Sequence, residues 1–339
     1  MKYDFKTVVN RRHTDSVKWN VQDNELPMSI ADMDFKTAPE IILAMQEKLK
    51  LGAFGYEEAG EDYFNAVSSW YQLEHGLNAD PTWMIFVTGV VPAISSIIRR
   101  ISHIGDNVLV QEPVYNIFYN SIENNGRHVL SSDLSYHDGK YEIDWQDLEN
   151  KLADPLTTLM LFCNPHNPTG IVWSRSEVER IAALCQKYHV VLLSDEIHGD
   201  IVRNNVKYTP AFSVTQELKN NVISLVSPSK TFNWLHDLLD TINENFIYAE
   251  HEINKNLKNV KIASGPATYL MWLDVSEISK DSKKLADYLR KETGLIVSAG
   301  SIYWGNGSQF LRLNLASPIW MVEDGIERLI TGIKNFSKK

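Results

Sequence analysis

The sequence predicts an α/β protein with a mostly parallel sheet sandwiched by helices, followed by a smaller α+β domain. Short apolar or β-branched runs alternate with helical segments between residues 81 and 226. This alternation indicates parallel strands covered on both faces. Polar residues follow several of the runs directly, and one long amphipathic stretch begins after Asn233.

The hydrophobic pattern predicts the elements in chain order. Pro39 opens a helix over 40–49, because proline is tolerated in a first helical turn. An aromatic-rich, packed helix is expected over 64–73. Strands are expected at 83–87, 107–110, 157–163, 189–193, 222–226, 269–273 and 311–315, and helices at 92–104, 174–188, 234–257, 282–292 and 318–333. Ser174 and Glu177 match a capping box.

Composition limits the classes of function. The 339 residues are 44% hydrophobic and 22% charged, which is ordinary for a soluble globular enzyme. A net charge of −10 argues against nucleic acid or an anionic membrane as the main partner. The two cysteines, Cys163 and Cys185, lie in apolar runs and are expected to be buried, with neither a disulfide nor a metal site. No membrane-length run and no signal-like N-terminus occur, so a cytoplasmic protein is expected.

Candidate functional residues stand where the predicted strands end. They are Gly89, Tyr115, Asn167, Asp195 and Lys230. Ligands of open parallel sheets bind beyond the carboxyl ends of the strands, so these residues are expected to share one site. Gly89 also opens a helix, whose free amides and positive dipole end favour an anion.

These residue types suit pyridoxal phosphate. A lysine at the mouth of a buried strand can lose its proton near neutral pH and attack a carbonyl. An aspartate keeps the pyridinium nitrogen protonated, so that the ring acts as an electron sink. An amide donor suits the phenolic oxygen, an aromatic face covers the ring, and backbone amides hold the phosphate.

Each candidate alone also has a plainer interpretation. Taken singly, Lys230 could be a surface lysine, Asp195 a helix N-cap and Asn167 a turn residue. In the same way, Tyr115 could be a core aromatic, His198 a structural histidine and Arg312 a surface charge. Their joint occurrence, in this order along one predicted sheet, favours the cofactor site over the separate interpretations.

Segments along nearly the whole chain resemble a known family. They are residues 10–19, 30–35, 55–56, 87–94, 113–115, 164–170, 194–198, 227–233, 267–274 and 312–314. The chain resembles fold-type I pyridoxal-phosphate enzymes of the aminotransferase class I/II superfamily, and among them the MalY/PatB-type cystathionine β-lyases. The resemblance implies an aspartate aminotransferase-like large domain over 35–233 and a small domain made of 1–34 and 234–339.

The resemblance also implies a role for each site residue. Lys230 is the catalytic lysine that forms the Schiff base with the cofactor. The other expected cofactor contacts are Asp195 at the pyridine nitrogen, Asn167 at the phenolic oxygen, Tyr115 stacked on the ring, His198 near the phenolic oxygen, Gly89, Val90, Val91 and Ser227 at the phosphate, and Tyr56 from the neighbouring subunit of a homodimer. Arg312 is expected to grip the substrate carboxylate as a bidentate fork.

The implied reaction is β-elimination from cystathionine or another cysteine thioether, which gives a thiol, pyruvate and ammonia. His198 stands where aminotransferases of this fold carry a tyrosine, which favours a lyase. An aminotransferase of the same fold remains the alternative enzyme.

The chain departs from the resemblance directly after Asn233, where a block of several tens of residues is absent. That block normally supplies a strand between the lysine strand, 222–226, and the first strand, 83–87. Its loss is expected to expose unpaired backbone groups or to bring the two strands together. A third hypothesis follows: a non-catalytic relic that binds the cofactor weakly.

Overall fold

A computed structural model describes residues 3–203, 206–228 and 235–338. The strands are β1 Leu26–Pro27, β2 Asn107–Val110, β3 His128–Ser131, β4 Ser135–His137, β5 Lys140–Glu142, β6 Thr157–Cys163, β7 Val191–Asp195, β8 Val222–Leu225, β9 Lys261–Ile262, β10 Leu270–Asp274, β11 Leu295–Ile296, β12 Ser298–Ala299 and β13 Phe310–Asn314. The helices are α1 Pro39–Lys50, α2 Glu61–Trp70, α3 Val90–Ile101, α4 Ile117–Glu123, α5 Trp145–Leu152, α6 Arg175–Lys187, α7 Leu235–Asn256, α8 Ser282–Thr293 and α9 Ile319–Phe336.

A five-stranded parallel sheet in the order β3-β2-β6-β7-β8 forms the centre of the molecule. Successive residues of β6 point to opposite faces, as strand geometry requires. Leu159 and Leu161 pack with α3 and α4, whereas Met160 and Phe162 pack with α5 and α6. The sheet is therefore apolar on both faces and covered by helices, which confirms the predicted fold class.

A second, antiparallel sheet in the order β12-β13-β10-β9 lies beside the long helix α7. One face of α7, including Leu238, Ile242 and Phe246, packs into the same hydrophobic core as β10, β13, α8 and α9. β1 joins this region by pairing with β11. Phe35 and Ala38 also pack into this core. The residue boundaries of the two domains stay a prediction.

Most predicted elements agree with the structure within a few residues, and the capping box of Ser174 and Glu177 opens α6. The strand predicted at 83–87 is wrong. Residues 81–83 form a 3-10 turn and residues 84–87 have no regular structure. The packed helix predicted at 64–73 is also wrong in part, because α2 has no buried residue and gives way to a π-helical turn, in which Tyr71 is buried.

The failed strand coincides with an open sheet edge. β8 is the last strand of the five, and no strand of the described ranges pairs with its outer side. Residues near this edge expose apolar side chains, with Ile85 85% and Phe86 51% accessible. Lys219 Nζ, just before β8, lies 4.4 Å from the centre of the Trp83 ring, so the two segments are neighbours at this point. In the described residues, the two segments therefore do not meet as paired strands.

Within the described parts of the chain, no helix is both long and apolar enough to cross a membrane.

Candidate active site

Three strands of the parallel sheet end in register at the candidate site. Cys163 of β6 pairs laterally with Asp195 of β7, which pairs with Leu225 of β8. The pairing continues one residue further, because the Asn164 amide donates to Asp195 O at 2.9 Å and the Glu196 amide donates to Leu225 O at 2.8 Å. The loops that follow the three strands therefore start side by side, as their order in the sheet requires.

The start of α3 and Tyr115 border the same strand ends. Val90, at the first position of α3, belongs to one hydrophobic cluster with Cys163 and Leu225, and Tyr115 packs against this cluster. Gly89 is the N-cap of α3, and no side chain caps the helix there. The first amides of α3, those of Val90 and Val91, are thus left for an anion, which a helix N-terminus favours.

Asn167 and Arg312 form a direct contact between the two sheets. A terminal guanidinium nitrogen of Arg312, on β13, donates to Asn167 Oδ1 at 3.1 Å. The guanidinium carbon lies 4.9 Å from the centre of the Tyr303 ring. Arg312 is only 4% accessible, so this is a buried cation and not a surface charge. Its Nε has no hydrogen-bond partner in the part of the chain that the structure describes.

Asp195 and Tyr115 share an electrostatic environment with Arg312. Burial raises the pKa of Tyr115, the Arg312 guanidinium opposes that rise, and the Asp195 carboxylate adds to it. Asp195 is buried at the end of β7, and one of its carboxylate oxygens accepts from the Ile197 amide at 3.1 Å. Tyr115, Asn167 and Asp195, which were predicted from separate strand ends, are thus brought to one place with Arg312 of β13.

The other predicted residues have different surroundings. His198 is buried after β7, with its ring 5.9 Å from Tyr269, and Ser227 is partly buried two residues beyond β8. Tyr56 is fully exposed in the irregular segment between α1 and α2, and no described contact joins it to the site. Lys230 lies outside the described residues, so its predicted role stays a prediction.

Sequence reasoning missed a buried carboxyl group next to the site. Glu196 accepts hydrogen bonds from the Ala211 amide at 2.8 Å, the Ser224 hydroxyl at 3.1 Å and the Tyr208 hydroxyl. Burial raises the pKa of Glu196 to about 7, against these hydrogen bonds. In the sequence, the only signal that could have identified Glu196 was its position directly after Asp195, because its hydrogen-bond partners come from distant segments.

Comparison with known proteins identifies the family. A family model described as aminotransferase class I and II matches residues 23–235, which is more than half of the chain.

The chain belongs to the aminotransferase class I and II family.

Relatives of known name or structure match over nearly the whole length. Cystathionine β-lyase PatB of Bacillus subtilis is 33% identical, covering 96% of this chain and 98% of its own. Cystalysin of Treponema denticola, whose structure contains pyridoxal 5'-phosphate, superposes with a TM-score of 0.94 at 28% identity, covering 99% of this chain and 100% of its own. The pyridoxal-phosphate-bound C-S lyase of Staphylococcus hominis superposes with a TM-score of 0.92 at 26% identity, covering 98% of each chain.

The alignment with PatB is longer than this chain. It runs over 381 positions, although this chain has 339 residues. Several tens of positions of the aligned PatB sequence therefore have no counterpart in this chain.

The described residues fit pyridoxal phosphate, the cofactor of this family. The uncapped start of α3 suits a phosphate, and the buried Asp195 carboxylate suits a protonated ring nitrogen. A buried guanidinium with an unpartnered Nε needs an anionic or polar partner. These donors and acceptors lie around one set of strand ends, as a single ligand requires.

Proposed function

We propose that this chain is a pyridoxal-phosphate-dependent carbon–sulfur β-lyase acting on cystathionine or a related cysteine thioether. The observation that carries the proposal is the whole-length similarity to cystathionine β-lyase PatB, which is 33% identical over 96% of this chain. The products are a thiol, pyruvate and ammonia.

The chain's own side chains bind and orient the reactants. Arg312 binds the substrate carboxylate through its planar fork, and Asn167 fixes the guanidinium by accepting one of its N–H groups at 3.1 Å. Asp195 holds the proton on the ring nitrogen of the cofactor. Tyr115 covers the ring, and Gly89, Val90, Val91 and Ser227 hold the phosphate.

The cofactor, when bound, supplies an electron sink for the negative charge left by removal of the substrate Cα proton. Lys230 would hold the cofactor covalently, and its Nζ would be the base for the substrate Cα proton. Burial of Arg312 and Asp195 excludes water and strengthens their interactions with the bound charges.

The proposal includes a homodimer. α1 has no buried residue, yet it carries the exposed apolar residues Ile42, Met45 and Leu49, which share one face of the helix. An isolated twelve-residue helix is marginal in water, and a contiguous apolar surface usually marks an interface. A second chain that covers this surface would bring the exposed Tyr56 towards the phosphate of its neighbour.

The test measures cofactor binding and product formation with the purified chain. Pyridoxal phosphate is added first, and the absorbance band of the lysine-bound cofactor is recorded. L-Cystathionine is then added without any keto-acid acceptor, and pyruvate and free thiol are assayed. We expect the band, and pyruvate and thiol in equal amounts. The Lys230→Ala variant is the control and is expected to give neither.

The outcomes separate the three hypotheses. Transfer of the amine only when a keto acid is present would assign an aminotransferase instead. Absence of both band and products, from a chain that melts cooperatively, would mean a non-catalytic relic.

A further inference from the structure

The backbone segment beside Arg312 is fixed at every carbonyl. This segment, residues 28–33, is called the strap. Met28 O accepts from the Asn314 amide at 2.7 Å, and Ser29 O accepts from Ser298 Oγ at 3.0 Å and from an Arg312 guanidinium nitrogen at 2.8 Å. Ile30 O accepts from Asn314 Nδ2 at 2.6 Å, and Ala31 O accepts from the Tyr269 hydroxyl at 3.0 Å. Asp32 O accepts from Lys18 Nζ and Asn314 Nδ2 at 2.8 Å each, and Met33 O accepts from an Arg11 guanidinium nitrogen at 3.2 Å.

Asn314 contributes more to the strap than any other donor in that series. Its backbone amide donates to Met28 O, and its side-chain Nδ2 donates to both Ile30 O and Asp32 O. Its Oδ1 accepts from the Ala316 amide at 2.8 Å, which fixes the orientation of the amide group. The side chain is fully buried. Asn314 therefore brackets Ser29 from both sides.

Ser29 O in turn orients Arg312. One terminal guanidinium nitrogen of Arg312 donates to Ser29 O and the other donates to Asn167 Oδ1. Two acceptors on opposite ends of the fork set the plane in which a carboxylate must lie to accept two parallel bonds. A shift of Ser29 O would rotate that plane without removing any group that touches the substrate.

We propose that Asn314 is a positioning residue for the substrate carboxylate, because it fixes the strap and thereby the plane of the Arg312 guanidinium. The inference rests on the proposed function in one respect, the role of Arg312 as the carboxylate-binding residue. Asn314 itself touches neither substrate nor cofactor.

The test compares Asn314→Ala with a matched control, Asn245→Ala. Asn245, on α7, is 1% accessible, and its Nδ2 also donates to two carbonyls, those of Leu315 and Ser317, at 2.8 and 2.9 Å. Both variants remove a buried amide that bridges two carbonyls, so both are expected to lower the melting temperature. Only Asn314→Ala loosens the strap.

The expected result is a split between KM and kcat. Asn314→Ala should raise the KM for L-cystathionine about tenfold, the effect of weakening one charge-assisted hydrogen bond, and change kcat less than about twofold. Asn245→Ala should leave both unchanged.

In an Arg312→Lys background, where no fork exists, Asn314→Ala should raise KM by less than about twofold. Equal KM changes in the two alanine variants, or full additivity with Arg312→Lys, would overturn the proposal.

A binding measurement keeps the inference separate from the proposed function. 3-(Methylthio)propionate has the carboxylate and thioether of a substrate but no amine, so it tests the carboxylate site alone. Its Kd for the cofactor-loaded protein, measured by calorimetry, should rise about tenfold in Asn314→Ala and stay unchanged in Asn245→Ala. This result stands even if no lyase activity is found. If Asn314→Ala does not fold, Tyr269→Phe, which removes the hydroxyl that donates to Ala31 O, should weaken binding in the same direction, and an unchanged Kd there would contradict the proposal.

Discussion

At the scale of residues, the site depends on charged groups buried beside their partners. Arg312 is buried with Asn167 and Ser29 O as acceptors, and Asp195 is buried at a strand end. Removal of such groups from water costs free energy unless each charge is compensated. The sequence identified Asp195 by its place at a strand end and Arg312 by the family resemblance, but it did not identify Ser29, because a backbone carbonyl carries no sequence signal.

Glu196 gives a pH prediction at the same scale. Its pKa is raised by burial from 4.5 to about 7, so the unfolded chain releases this proton at lower pH than the folded chain. Because of Glu196, the free energy of unfolding therefore falls by roughly 3 kcal/mol in total as pH rises through this interval. Between pH 4.5 and 7 we expect the free energy of unfolding of the wild type to fall relative to that of Glu196→Gln.

Urea denaturation of both proteins across this pH range measures the effect. The difference between the two curves cancels the titration of every other group, so it isolates Glu196. A difference that does not change with pH would show that Glu196 is ionised throughout in the folded protein.

At the scale of elements, the strap is anchored by a buried ion pair. Asp34 accepts from Lys18 Nζ at 2.7 Å, from an Arg11 guanidinium nitrogen at 2.6 Å, from Trp19 Nε1 at 2.8 Å and from Ser317 Oγ at 2.7 Å. Burial alone would raise the pKa of Asp34, but Lys18 and the hydrogen bonds hold it below its ordinary value. The stabilisation is thus present at neutral pH and is lost as pH falls through the folded pKa.

Asp34→Asn should destabilise the folded protein by about 3 to 5 kcal/mol, because it leaves the buried Lys18 without its charge partner. Asp32→Asn is the matched control. Asp32 lies two residues away, its side chain is 43% accessible, and it pairs with Arg11 at 2.6 Å. An exposed pair of this kind contributes less than about 1 kcal/mol. Chemical denaturation at pH 7 compares them, and equal losses would mean that burial of the pair is unimportant.

The elements also show what sequence patterns can and cannot predict. β2 and β6 have the predicted bounds, because a buried parallel strand is a continuous apolar run between turn residues. Residues 83–87 have the same kind of pattern and are not a strand. An apolar run becomes a strand only when a neighbouring strand accepts and donates its backbone hydrogen bonds. The sequence of the run itself does not show whether such a neighbour is present.

At the scale of the whole molecule, the open edge beside β8 is a surface for self-association. Among the described residues β8 is the last strand of the sheet, and the nearby residues 83–87 expose several apolar side chains. Unpaired strand edges next to exposed apolar residues favour edge-to-edge contacts between chains. We therefore expect the wild type to form species larger than a dimer as its concentration increases.

Ile85→Lys should reduce this association, since a charge on an exposed edge opposes further pairing. Val17→Lys is the control, because Val17 is similarly exposed, at 80% against 85% for Ile85, but lies outside the edge. Sedimentation velocity over a concentration series measures the larger species. The same decrease in both variants would indicate a general effect of charge and not an effect of the edge.

The alternation of β13 has a consequence for how its sequence can vary. Arg312 and Asn314 are two residues apart and face the strap, whereas Leu311 and Leu313 face the apolar core. One inserted or deleted residue before Arg312 would turn both polar side chains into the core and both leucines towards the substrate. The length of this short strand must therefore be inherited unchanged.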